Sequence, residues 1–293
     1  MIFRKQADED FFNRCGYIQH SFLGLDEINA LQKAFITYNN MNGEVIDFAK
    51  ELGYYISVFD SNTEKRKYIN DTLKNIFTPK VEALMNNYTI LYGNFMYKEA
   101  GGKEIEVHQD FSFVDEKKYT AFNLWIPLQD TTPENGGFHL IESSNKLFNS
   151  YRSSTIPHNL THYNEAFKKL MKPVDVKAGD GLLFDHRLFH YSTPNRSDKI
   201  RIAVQMVLIP KEATPVMYYY EPQKDKKNLS VYEMTENFLL TKNLWSNPTD
   251  YLRKIGETPY EKIPDAGSIL RQLQPEDNTP KPLKLLKKLF GHV

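Results

Sequence analysis

The run from Ile200 to Ile209 constrains the fold of this chain more than any other stretch. Ile200, Ile202, Val204, Met206 and Leu208 occupy alternate positions, and Arg201, Ala203, Gln205, Val207 and Ile209 fill the gaps. Side chains of a strand point to opposite faces with a period of two. The run therefore reads as a strand with one wholly apolar face and an arginine on the other. An arginine buried there needs a partner, because an unpaired buried charge is very costly. Either a nearby acid or a bound carboxylate must answer it.

The rest of the chain places this strand in a mainly β protein with flanking helices. Residues 8–15 read as a short helix ended by Gly16. Asp26 is a candidate N-cap for a helix over 27–38, with Ile28, Leu31, Phe35 and Tyr38 three and four apart. Ser61 or Asn62 can cap a second helix carrying Ile69 and Leu73, and Pro79 reads as the opening of a third. From Tyr88 the pattern changes to short β-rich runs: 88–98, 104–113, 119–129, 137–141, 174–177 and 182–185, with a helical insertion at 163–171. Helices first and then about eight strands suit a double-stranded β-helix, a cupin-like jelly roll of two packed sheets. The expected organisation is a single domain over 1–293: a helical buttress at 1–87, the β core at 88–210, and a C-terminal helix with a proline-rich tail at 211–293. In that last part 229–240 reads as helix and 246–282 as extended and irregular. The segment from Lys281 to Phe290 reads as a short basic amphipathic helix, either a contact to a membrane surface or partner, or simply a terminal helix.

Bulk properties narrow the function classes. The 37 basic and 37 acidic residues cancel, against the net basic footprint of nucleic-acid binders. Cys15 is the single cysteine, which excludes an intrachain disulfide scaffold. No stretch approaches the roughly 20 apolar residues of a membrane span, and the N-terminus turns acidic without a signal-peptide core. A cytoplasmic protein with a small-molecule substrate is the expectation.

The chemistry concentrates in Val107-His108-Gln109-Asp110 and, eighty residues on, Phe189-His190-Tyr191-Ser192. Two histidines and a carboxylate are the parts of a facial triad for non-haem Fe(II), which leaves positions open for a co-substrate and O2. In one strand, His108 and Asp110 would point the same way. Arg201 can then clamp a carboxylate through its planar fork, a task lysine performs less well.

With these residues in this order, the chain resembles the Fe(II)/2-oxoglutarate dioxygenases of the phytanoyl-CoA dioxygenase type. The resemblance extends through Trp125-Ile126-Pro127-Leu128-Gln129-Asp130, Pro133-Glu134-Asn135-Gly136-Gly137, Glu142-Ser143-Ser144-Asn145-Lys146 and Ala178-Gly179-Asp180-Gly181 to His190-Tyr191-Ser192-Thr193-Pro194-Asn195, with Arg201 eleven residues after His190. It implies a hydroxylase of a small organic metabolite that binds Fe(II) through His108, Asp110 and His190 and consumes O2 and 2-oxoglutarate. It also implies that Arg201 and Ser192 hold the distal carboxylate of 2-oxoglutarate. Gln109, Asn123 and Lys98 are candidates for further contacts to it. Halogenases of the family carry a small residue where Asp110 stands, so halogenation is not expected.

Other histidines compete for attention. His186 and His190 are four apart, as are His158 and His162, a spacing that binds zinc on a helix. No HExxH glutamate accompanies them, so His186 reads as structural, His158 and His162 as surface residues, and His139 as a satisfied strand histidine. Phe111, Phe113, Tyr97 and Phe138 could wall a pocket or fill a core. By alternation Glu106 shares a face with His108 and Asp110, where it would recognise a basic group on the substrate, or sit solvated or paired with Lys98 or Lys103 at the barrel mouth. A non-redox, cupin-like metal protein, isomerase or binding module, is the alternative from a different class. Arg201 with Ser192 tells against it, since a simple metal cupin has no use for that pair.

Overall fold

The computed structural model describes residues 1–43, 47–157 and 163–274. In chain order its elements begin with α1 (Gln6–Cys15), β1 (Tyr17–Ser21), α2 (Leu25–Asn40), α3 (Asp47–Leu52), β2 (Tyr54–Ile56) and α4 (Thr63–Leu84). The core follows as β3 (Tyr88–Lys98), β4 (Ile105–His108), β5 (Phe122–Pro127), β6 (Phe138–Leu140), α5 (Asn164–Lys168), β7 (Lys172–Val174), β8 (Asp180–Asp185), β9 (His190–Ser192) and β10 (Arg201–Pro210). Then come β11 (Val216–Tyr219), β12 (Asn228–Glu233), α6 (Glu236–Thr241), β13 (Lys254–Pro259) and α7 (Ala266–Leu273).

Two antiparallel sheets form the jelly roll. The larger has the order β1-β8-β5-β10-β3-β2 and the smaller β4-β9-β6-β7. A third sheet, β11-β12-β13, follows the core. Strand β10 lies in the middle of the large sheet, between β5 and β3, and its alternation separates two environments. Val204, Met206 and Leu208 pack with Leu31, Ile69, Leu73 and Phe77 of α2 and α4 in one core cluster. Ala203, on the opposite face, joins Trp125, Phe138, Leu140 and Phe184 in the layer between the sheets. Burial of this kind stabilises by about 25 cal/mol per Å2 of apolar surface, so the inter-sheet layer and the helical layer hold the central strand from both sides.

Several expectations are corrected. The helix over 27–38 starts at Leu25 with Gly24 as N-cap instead of Asp26, and the Glu27 carboxylate accepts from the Gly24 N–H at 3.1 Å. Asn62 does cap α4, but the helix continues through Pro79 instead of restarting there. Ile69, Leu73, Phe77 and Val81, four apart, stay buried on one face across the proline; that packing outweighs one missing helical hydrogen bond. The N-terminal part is not purely helical, since β1 and β2 close the two edges of the large sheet. The strand expected at 174–177 lies at Lys172–Val174. The helix expected over 229–240 is strand β12 followed by the short α6, and the tail contains β13 and α7. The prolines there punctuate these elements: Pro248 opens a 3-10 turn and Pro259 ends β13. Among the described residues no helix is long and apolar enough to cross a membrane. His158, His162 and the basic segment from Lys281 lie outside the described residues.

Candidate active site

The strand expected over 104–113 ends at His108, and this changes how the site is built. Strand β4 pairs with β9 through Ile105↔Ser192 and His108↔His190, with an irregularity between them. Three steps on β4 face two on β9, so a bulge shifts the phase of the alternation. Ile105 and His108 line the cavity between the sheets, whereas Glu106 is exposed. Glu106 is therefore not placed to meet a substrate beside His108.

Beyond His108 the backbone leaves the ladder. The Asp110 N–H donates to the His186 carbonyl at 2.9 Å, and the Ser112 N–H donates to the Arg152 carbonyl at 2.9 Å. Arg152 Nε donates to the Asp110 carbonyl at 2.7 Å, and its Nη2 pairs with Glu116 at 2.7 Å. Asp110 thus reaches His108 by a braced turn and not by strand alternation.

The ligating atoms of His108, Asp110 and His190 all lie within 4.8 Å of one another. Asp110 Oδ1 is 3.9 Å from His108 Nε2, and Oδ2 is 3.8 Å from His190 Nε2. Each imidazole is oriented through its other nitrogen: His108 Nδ1 donates to the Glu106 carbonyl at 2.7 Å and His190 Nδ1 to the Leu188 carbonyl at 2.9 Å. Both Nε2 atoms are left as acceptors, the arrangement a metal-binding histidine needs. Asn123 Nδ2 donates to Asp110 Oδ2 at 2.6 Å. Burial, followed by the neighbouring His108, pushes the His190 imidazole down to about 4. Burial pushes the Asp110 carboxyl up, but His190, His186, His108 and the Asn123 hydrogen bond outweigh it and keep it below the usual range. The three groups are thus a neutral imidazole, a second imidazole and a carboxylate. Phe138 stacks on the His190 ring at 5.1 Å with a 10° interplanar angle, fixing its plane.

Arg201 lines the same cavity, about 220 Å3 in volume. It is 2% exposed, and its Nε and Nη1 have no hydrogen-bond partner. Its guanidinium carbon lies 5.4 Å from the centre of the Trp125 ring. Burial pushes it down to about 10, so it stays charged at neutral pH. Ser192 lines the cavity beside it, with its hydroxyl oxygen accepting from Lys98 Nζ at 2.9 Å. Lys98 also donates to the Thr193 carbonyl at 2.6 Å, and burial, then the charge of Arg201, pushes it down to about 6.

Of the other residues singled out in the sequence, Gln109, Asn123, Phe111, Phe113 and Phe138 line the cavity. Lys98 does not, and stands behind Ser192. Gln109 Nε2 donates to the Arg187 carbonyl, while Asn123 Oδ1 is buried without a partner. Tyr97 belongs to the helical side, stacked on Tyr55 at 4.7 Å. His186 is buried with Nδ1 on the Phe111 carbonyl at 3.0 Å, and the His139 ring lies tilted against Tyr191 with centres 4.7 Å apart. Sequence reading missed Gln205 and Trp125, which line the cavity. Gln205 was findable, since it shares the Arg201 face of β10. Phe59, Leu244 and Trp245 also line the cavity; they come from segments about fifty residues from the nearer half of the triad, and nothing local marks them.

The chain is 28% identical over 123 residues to the phytanoyl-CoA dioxygenase domain-containing protein 1 homolog of Dictyostelium discoideum, a match covering 39% of this chain and 43% of that relative. The chain thus spans less than half the length of the curated relatives it matches. Among solved structures it is similar in fold to the non-heme alpha ketoglutarate dependent epimerase SnoN from nogalamycin biosynthesis, with a TM-score of 0.55 and 14% identity over 88% of this chain and 96% of that one. It is also similar to EvdO2 from Micromonospora carbonacea var. aurantiaca complexed with 2-oxoglutarate, with a TM-score of 0.52 and 17% identity over 72% and 91% of the two chains. Residues 19–203 match the model of the phytanoyl-CoA dioxygenase (PhyH) family, and the chain belongs to that family.

Proposed function

We propose that the protein is an Fe(II)- and 2-oxoglutarate-dependent oxygenase that hydroxylates a small organic molecule. The observation that carries this reading is Arg201, a buried guanidinium with two unpartnered nitrogens in the cavity that holds His108, Asp110 and His190. A charge in that position is costly unless an anion completes it. A dicarboxylate that chelates the metal at one end and meets Arg201 at the other answers both ends of the site. A metal site without a carboxylate co-substrate, the non-redox jelly-roll reading, leaves Arg201 unexplained.

The donor set fits Fe(II): two imidazoles with free Nε2 atoms and an ionised carboxylate on one face. His108, Asp110 and His190 would hold it. Bound iron with 2-oxoglutarate supplies the oxidising power, O2 being consumed as 2-oxoglutarate loses CO2 to become succinate. The chain's own part is orientation. Asn123 fixes one Asp110 oxygen, Phe138 and the Leu188 carbonyl fix the His190 ring, and Ser192, held by Lys98, is left free to donate its hydroxyl proton to a carboxylate beside Arg201.

The test is anaerobic titration of the purified protein with Fe(II) and 2-oxoglutarate, read as metal content and as the weak visible charge-transfer band of the chelated ferrous ion. The band should form in the wild type. Arg201→Ala should keep the metal and lose about 2–5 kcal/mol of 2-oxoglutarate affinity. Equal 2-oxoglutarate affinity in a folded Arg201→Ala protein would refute the proposal.

A further inference from the structure

Among the described residues, the side chains that wall the cavity are uncharged apart from the triad and Arg201. Its polar lining includes Asn123, Ser192 and Gln205. Much of its apolar lining comes from three segments distant in sequence, with Ile56, Val58 and Phe59, then Phe111 and Phe113, then Leu244 and Trp245. Phe59 and Trp245 have ring centres 5.1 Å apart, and Phe111 meets Trp245 edge-on at 6.5 Å. Trp245 is 52% exposed, yet the turn that carries it is pinned. Its N–H donates to Asn243 Oδ1 at 2.9 Å, Arg66 Nη1 donates to the Lys242 carbonyl at 2.6 Å, and Ser154 donates to the Leu244 carbonyl. A large aromatic held in place along the cavity wall with Phe59 and Phe111 presents an apolar face to what enters.

We infer that the primary substrate is an uncharged, largely apolar molecule with a flat or ring-shaped body, which lies against Phe59, Phe111 and Trp245 and delivers its reacting carbon past Ile105 to the metal. This rests on the proposed oxygenase reading and adds the substrate class. Arg201 is engaged by the co-substrate on that reading, so among the described residues no cationic group is left in the wall for a substrate acid. The only carboxylate lining the cavity among the described residues is Asp110, and Glu106 lies outside it. A substrate ammonium group would be desolvated there with no counter-charge. Attraction of a cation to ring faces offsets only part of that penalty.

The experiment uses the protein loaded with Fe(II) and 2-oxoglutarate under nitrogen and three matched probes: 2-naphthylmethanol, 2-naphthylmethylammonium and 2-naphthoate. Binding is followed by calorimetry and by intrinsic fluorescence, since both tryptophans of the chain, Trp125 and Trp245, line the cavity. The alcohol should bind at least tenfold more tightly than either charged probe. Trp245→Ala and Phe59→Ala should each weaken it about tenfold and shift 2-oxoglutarate affinity by less than twofold. The inference is overturned if the ammonium or the carboxylate probe binds as tightly as the alcohol, if the alcohol does not bind, or if Trp245→Ala leaves its affinity unchanged. Failure of the wild-type protein to bind 2-oxoglutarate would refute the co-substrate reading separately. Without co-substrate Arg201 is open to the carboxylate probe, so the comparison of the alcohol with the ammonium probe and the Trp245→Ala effect then decide the character of the wall.

Discussion

Lys98 and Arg201 are register partners across β3 and β10, an amine and a guanidinium buried side by side with no carboxylate paired to either among the described residues. Folding alone does not reward such an arrangement, because the guanidinium is desolvated and burial, then the Arg201 charge, drives the proton off Lys98. It is rewarded when an anion enters. The ligand-free protein is therefore strained electrostatically where the proposed co-substrate would bind.

That strain sets the stability response. Saturating 2-oxoglutarate should raise the melting temperature, with about 2.7 kcal/mol of stabilisation at a hundredfold excess over Kd. Arg201→Met should melt at or above the ligand-free wild type and lose the response to 2-oxoglutarate. A ligand-induced shift that survives Arg201→Met in differential scanning calorimetry would place the anion elsewhere.

The same pair gives a pH signature. Lys98 is pushed down to about 6 in the folded protein, whereas an unfolded lysine titrates near 10.4. Between those values the unfolded chain binds the extra proton, so ligand-free stability should rise with pH through roughly 6 to 10, with the full penalty below that window. A carboxylate beside Arg201 and Ser192 favours the charged lysine, so 2-oxoglutarate binding at about pH 8 should take up protons. Calorimetry in buffers of different ionisation enthalpy measures that uptake, and Lys98→Met should remove it.

Gly136 has φ +89°, and a β-carbon there would lie 3.3 Å from Lys98 Cδ and 3.4 Å from Arg201 Nε. Gly136→Ala combines a left-handed backbone cost of about 1–2 kcal/mol with pressure on both cations. The expected result is a modest loss of stability, a clear loss of 2-oxoglutarate affinity and unchanged metal content. Metal loss with co-substrate affinity intact would contradict it.

The turn that delivers Asp110 depends on Arg152 and Glu116, whose side chains are 6% and 1% exposed. Arg152→Ala should cost about 3–5 kcal/mol by leaving Glu116 buried and unpaired, and should loosen the metal. In the double variant Arg152→Met/Glu116→Leu most of the stability should return while metal affinity stays reduced. Full metal affinity in that double variant would show that the brace does not position Asp110.

The parts of this site that sequence exposes are those with a strict spatial rule. Arg201 sits on a strand whose other face is apolar, so period two alone announces a buried charge. The convergence of His108 with Asp110 was legible, but for the wrong geometric reason: a bulge and a turn replace the simple alternation, and this moved Glu106 outward. One inserted residue reverses every facing assignment along a strand, and no local composition marks it. Pro79 misled because intrinsic propensity yields to a buried stripe, and β12 because Leu229 to Leu240 suits either period. Trp245 was invisible, since its role depends on where a distant loop lands.

The central position of β10 bears on how the protein comes into being. The strand carrying Arg201 is the last of the core to be made, and its ladder partners β3 and β5 lie roughly eighty to over a hundred residues earlier in the chain. Such pairing must wait for nearly the whole domain to leave the ribosome, and contacts this distant form slowly. All three triad residues precede β10, and His108 faces His190 directly across β4 and β9 of the smaller sheet. A chain cut short before Arg201 has the triad residues but neither the buried arginine nor the central strand of the large sheet. On the proposed reading, the co-substrate would therefore find its carboxylate partner only in the finished fold, and nascent or broken chains would be spared from generating oxidant in a half-built cavity.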